Sequence, residues 1–141
     1  METESGHAAV ELALAVGLLL IPAALVVLGF GPWSERTVLA EAAAAEAART
    51  AVLELSVSTG TTVADQMAEN YGLPPDSLRI GWCGATPTVD GAGACPFGRG
   101  TSVIAVVDVW VPLVVTPWGS IGGLWVTRSH TESIDLYRSL G

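Results

Sequence analysis

His130 sits in the stretch Arg128-Ser129-His130-Thr131-Glu132-Ser133-Ile134-Asp135, which holds the letters of a hydrolytic triad. A hydroxyl could attack, an imidazole could take its proton, and Glu132 or Asp135 could orient the ring. The spacing argues against that chemistry. Hydroxyl residues alternating with larger ones predict a strand, and neighbours in a strand point to opposite faces, so Ser129 and His130 cannot converge. Asp76 and Asp90 lie near loop glycines but match no calcium-binding loop. The glycines around the cysteines follow no strand-to-helix pattern of the kind that cradles phosphate. The chain reads as a non-enzyme with no cofactor and no metal.

The two cysteines point to a different role. Cys83 and Cys95 bracket eleven residues in GWCGATPTVDGAGACPFG, a Gly/Pro/Thr-rich stretch with the character of an ordered loop. A disulfide closing it would contribute about 3 kcal/mol. A metal site would need more ligands, and no histidine lies nearby. An oxidised pair places this part of the chain outside the cytoplasm.

The third cluster is at the front. Glu11 opens an apolar run, and Gly6 precedes it by five positions. Residues 12–34, LALAVGLLLIPAALVVLGFGPWS, contain no charge over 23 positions. As helix this run is about 34 Å long, enough to cross a hydrocarbon core of roughly 30 Å. A buried core helix rarely runs so far without a polar face. A secretory signal would have a basic start and a shorter apolar stretch, although Ala-rich cleavage options exist near residues 43–46. The reading preferred here is one membrane span. Ala9, Ala13 and Gly17 form an i, i+4, i+8 stripe of small residues that admits close helix packing. Pro22 would bend the span, and Gly29, Gly31 and Pro32 would loosen its exit. Arg36 is the only base near the span, so charge alone gives little guide to orientation.

Composition agrees with this division. The chain has 141 residues, 50% apolar, with 14 acids against 6 arginines, no lysine and a formal charge of -8; its mean hydropathy is +0.52. Six scattered arginines make no phosphate-binding stripe, so nucleic acid is excluded as a partner. Disorder is excluded by the apolar content.

The remaining elements must position the loop and the span. Residues 34–57, SERTVLAEAAAAEAARTAVLELSV, predict an Ala-rich helix continuing from the span, with Val38, Ala42, Ala45, Ala48, Val52 and Leu55 as its apolar stripe. Residues 62–71 predict a short helix, 77–82 a strand, and 101–111 the strongest strand in the chain. Pro112 and Pro117 make VPLVVTPW an edge or a loop, and residues 125–136 close the sheet. The fold class is α+β: a long N-terminal helix packed on a small antiparallel sheet. Trp82 and Trp110 are expected in the core, and Trp118 is the candidate for an exposed contact.

With those elements in view, Gly6-x-x-x-x-Glu11 followed by an apolar helix resembles the prepilin signature of type IV pilins and pseudopilins. More narrowly, GHAAVELALAVGLLLIP followed by AEAAAAEAART resembles the TadE-like proteins, minor pseudopilins of tight-adherence (Tad, or Flp) pilus machinery. The chain departs from them at Glu2 and Glu4, where basic residues usually precede the glycine, and at Leu12, where phenylalanine commonly follows the glutamate. The resemblance implies cleavage between Gly6 and His7 by a prepilin peptidase. It also implies that Glu11 neutralises the new α-amino group on a neighbouring subunit and so sets axial register. The implied layout is a leader at 1–6, a membrane helix at 7–34, an Ala-rich extension at 35–57 and an extracytoplasmic head at 58–141. Pilin or pseudopilin subunits, pilus assembly machinery and the bilayer would be the partners. The alternatives are an unprocessed single-pass envelope protein with a partner-binding head, or a secreted protein freed by signal cleavage.

Overall fold

A computed structural model describes residues 4–116 and 118–137. Its spine is α1 (Glu4–Glu54), 51 residues of unbroken helix that pass through Pro22 and Pro32. The exit expected to loosen at Gly29, Gly31 and Pro32 stays helical. Each proline removes one backbone hydrogen bond, and the Leu- and Ala-rich turns on either side supply strong helix formers. α1 ends where Leu55 adopts a left-handed conformation (φ 52) and Ser56 N–H donates to the Ala51 carbonyl at 3.0 Å. That geometry satisfies one of the orphan carbonyls of the last turn.

Ser56 then caps α2 (Val57–Asn70), its hydroxyl accepting from Thr59 N–H at 3.4 Å. This helix begins five residues ahead of the expected start at 62. Val57 to Thr61 are poor helix formers, and packing against α1 overrides that preference. Gly60 is what permits the approach. A Cβ there would stand 2.6 Å from the Trp82 ring and 2.7 Å from the Ala47 carbonyl oxygen.

Three strands follow: β1 (Leu78–Trp82), β2 (Ser102–Thr116) and β3 (Gly119–Ser133), antiparallel in the order β1-β2-β3. Ile80 pairs with Val107 and Val109 with Val126. The expected loop alternative at VPLVVTPW is overturned, because β2 runs through Pro112 to Thr116. Trp110 N–H donates to the Ser77 carbonyl at 2.8 Å, so the even-numbered members of β2 direct their N–H groups toward the β1 side. β1 begins at Leu78, opposite Val109. Past Trp110 that side of β2 is therefore an open edge, and the N–H that Pro112 lacks would have pointed into it. The edge expectation stands. β3 starts six residues before the expected 125 and stops at Ser133, short of the expected 136.

The core lies between α1 and the inner face of the sheet. Val103, Ala105, Val107 and Val109 pack with Ala40, Ala43, Ala44, Ala47, Ala48 and Ala51. This corrects the first half of the expected stripe, while its second half holds: Ala48 and Val52 are buried and Leu55 packs against the core. Val38 is 60% exposed, while Leu39 and Ala40 are fully buried. With alanine at most positions hydropathy scarcely distinguishes the faces, whereas charge does: Glu41, Glu46 and Arg49 all lie on the exposed side. Trp82 is buried as expected. Trp110 is only partly so, and its ring stacks edge-on against Trp125 at 5.3 Å between centroids. Cys83 and Cys95 are joined by a disulfide, and the loop it closes lies along the outer edge of β1, bridging Ile80 to Thr88 and Gly81 to Ala92.

Candidate membrane and assembly surface

Residues 7–24 of α1 stand clear of the head. Leu12, Leu14, Leu18, Leu19, Ile21, Val26 and Val27 are all between 64% and 74% exposed. They point in every direction around the axis, as in a helix surrounded by lipid or by other helices rather than by one core. By length and composition this helix can cross a membrane.

The residues expected to carry processing, helix packing and the disulfide all lie on α1 or in the cysteine loop. Gly6 and His7 are helical, as are Ala9, Glu11, Ala13 and Gly17. His7, Ala9, Glu11 and Ala13 are exposed, and nothing approaches within 4 Å of a Cβ placed at Gly17. At about 100° per residue, His7 and Glu11 share one face, one turn apart, while the stripe Ala9, Ala13 and Gly17 lies on the roughly opposite face.

His130 and Ser129 point to opposite faces of β3, and the imidazole meets Glu132 on its own side at 3.4 Å. Both side chains of that pair are about 40% exposed. Asp65, Glu69 and Asp90 form a small acidic group beside α2. Partial burial, followed by the charges of Glu69 and Asp90, raises the Asp65 carboxyl above its ordinary range.

One feature went unread in the sequence. Beyond Trp110 the β2–β3 pair continues as a two-stranded ribbon that lies back along α1. Leu25, Gly29, Phe30 and Trp33 of the helix share a groove of about 300 Å³ with Val111, Pro112, Leu113 and Leu124 of the ribbon. A Cβ at Gly29 would stand 3.6 Å from the Leu113 carbonyl oxygen. The ribbon thus lies beside the C-terminal part of the apolar run. A signal was present: residues 109–127 hold no charge, bounded by Asp108 and Arg128. Trp118, at the apex, is 92% exposed, in line with its reading as an exposed contact.

Comparison with protein-family profiles, characterised proteins and solved structures returns no match.

Proposed function

We propose that this chain is a single-pass membrane protein of the pseudopilin kind, acting in assembly of a Tad/Flp-type pilus or a related secretion machine. The observation that carries the reading is the division of α1. One helix is bare and apolar in its first half, and in its second half it is the Ala-rich spine of a disulfide-closed head. Such a subunit is held by lateral helix packing below and by head contacts above. The small stripe at Ala9, Ala13 and Gly17 supports close packing of a neighbouring helix. Glu11, on the other face, supplies a carboxylate that a neighbouring α-amino group can pair. The disulfide supports a head outside the cytoplasm. The partners are pilin-like subunits, the assembly machinery and a prepilin peptidase.

The mature N-terminus tests this. Sequencing of the protein from membranes should give His7, from cleavage after Gly6. A start at Met1 or Glu2 would replace this reading with an unprocessed envelope anchor whose head binds another partner. Release by cleavage near residues 43–46 is disfavoured by the packing, since Ala43 and Ala44 are fully buried against the sheet. A cut there would strip Leu39 and Ala40 from the core.

A further inference from the structure

The sheet changes character along its length. On its outer face, away from α1, the upper positions of β3 are Thr127, Ser129, Thr131 and Ser133, opposite Asp108, Val106, Ile104 and Ser102 of β2, with Arg79 on β1, so polar and apolar side chains are mixed there. Below Asp108 the same face carries Trp110, Pro112 and Val114 on β2, with Ile121 and Trp125 on β3. The inner face is apolar there too, with Leu113, Val115 and Leu124. A half-buried sheet in water alternates apolar with polar; this ribbon is predominantly apolar on both faces, with Ser120 opposite Val115 as a polar residue of the inner one. Leu113, Val114, Val115, Trp118, Ile121 and Leu124 are each between 42% and 92% exposed.

The height of the change matters. Val111 and Leu124 share a groove with Phe30 and Trp33, and the Trp110–Trp125 pair is the next rung above. The guanidinium of Arg79 covers the Trp125 ring at 4.1 Å, and Glu35 and Arg36 are the first charges after the apolar run. Aromatic rings with arginines just above them are the composition of a membrane–water boundary. Everything on the ribbon below that level is uncharged, as is the helix beside it.

We propose that the tip of the β2–β3 ribbon is a second lipid-contacting element, which enters the leaflet on the head's side next to α1 and seats its side chains among phospholipid acyl chains. The inference rests on α1 being a membrane span. The surface it assigns to lipid is continuous with the lipid-facing surface of that helix, through the contact of Leu113 with Gly29. The ribbon's open edges set its depth. Unpaired N–H and C=O groups are not tolerated in bare hydrocarbon, so the ribbon lies inclined at the headgroup boundary. Water reaches its edges there while Trp118 and Ile121 reach the chains, and Pro112 removes one donor from the edge facing β1.

The test is photo-crosslinking of the full chain in phosphatidylcholine–phosphatidylglycerol vesicles, with a benzophenone-bearing amino acid replacing Ile121, Leu19 or Thr131 in turn. Phospholipid adducts by mass spectrometry at Ile121 and Leu19, each at least about tenfold above Thr131, are the expected result. Adducts at Leu19 with none at Ile121, or an Ile121 adduct to a second copy of the chain, overturn the ribbon proposal and leave the span intact. Absence of lipid adducts at both Leu19 and Ile121 overturns the membrane reading itself, and the ribbon proposal falls with it.

Discussion

The indole Nε1 of Trp82 donates to the Thr61 hydroxyl at 3.1 Å, and Thr61 in turn donates to the Val57 carbonyl at 3.1 Å. This chain joins the buried end of β1 to the first turn of α2. It also explains how an indole that is 1% exposed keeps its N–H satisfied. Thr61→Val preserves the shape and removes the acceptor. The buried donor is then left without a partner, which costs about 1–3 kcal/mol. Urea denaturation of the head should show that loss with an unchanged m-value.

The same contact depends on Gly60. A methyl there meets the Trp82 ring, which could shift, and the Ala47 carbonyl, which is fixed in α1. Gly60→Ala gains helix propensity of about 1 kcal/mol, yet overpacking costs of about 1–3 kcal/mol oppose it. The expected outcome is net destabilisation, read as a lower denaturation midpoint. A stabilised variant would show that α2 sits farther from α1 than described.

The faces of α1 show what was legible in advance and what was not. The apolar run, the Ala-rich helix, the cysteine loop and the strong central strand follow from composition and period, because each is a local pattern. Of the expected buried face of the Ala-rich helix, Ala48 and Val52 are buried and Leu55 packs on the core, but in place of Val38, Ala42 and Ala45 the structure buries Ala40, Ala43, Ala44 and Ala47. Hydropathy cannot rank one alanine above another, so only the exclusion of Glu41, Glu46 and Arg49 could have identified it. For the ribbon lying back on α1 the sequence carries only the uncharged stretch 109–127; its packing on the helix depends on pairing beyond the end of β1 and is not a local pattern. The corrected face makes a prediction. Ala44→Leu should destabilise the head by about 1–3 kcal/mol through overpacking. Val38→Ala, on the exposed side, should stay within about 0.5 kcal/mol in the same denaturation assay.

The disulfide between Cys83 and Cys95 closes the loop that covers the outer edge of β1. Its removal frees a short loop in the unfolded chain and exposes that edge in the folded one. Cys83→Ser paired with Cys95→Ser should lower stability by about 3 kcal/mol. Reductant should produce the same loss in the parent protein and none in the double variant.

Asp65 provides a pH signature. Its carboxyl is raised by partial burial first, then by Glu69 one turn away and by Asp90 on the cysteine loop. The folded state therefore holds the proton more tightly than the unfolded state. Below the ordinary aspartate range both states are protonated and nothing is lost; as pH climbs from that range through the raised value the unfolded state ionises first and stability falls, and the full cost persists at neutral pH. Asp65→Asn should raise the melting temperature at pH 7 by no more than about 4 °C, given the group's exposure. The gain should vanish as the melts are repeated toward about pH 3.

Glu11 offers the sharpest test of the assembly reading, because the physics of insertion and of assembly pull in opposite directions. An ionised carboxylate at the edge of an apolar helix disfavours membrane insertion, so Glu11→Ala should insert at least as well as the parent. After cleavage at Gly6, however, Glu11 would stand in the first turn of the mature helix on the face of His7. There a carboxylate favours the positive end of the helix dipole and can pair with a neighbour's α-amino group. Both interactions are lost in Glu11→Ala and weakened in Glu11→Gln, which keeps size and hydrogen bonding without charge. Membrane-fraction yield should therefore be unchanged in both variants, while recovery of the chain in sheared pili or crosslinked assemblies falls at least about tenfold, as expected for loss of a charge pair worth roughly 1.4 kcal/mol or more. Full assembly of Glu11→Ala would remove charge pairing from the account and leave the stripe at Ala9, Ala13 and Gly17 as the remaining basis for register.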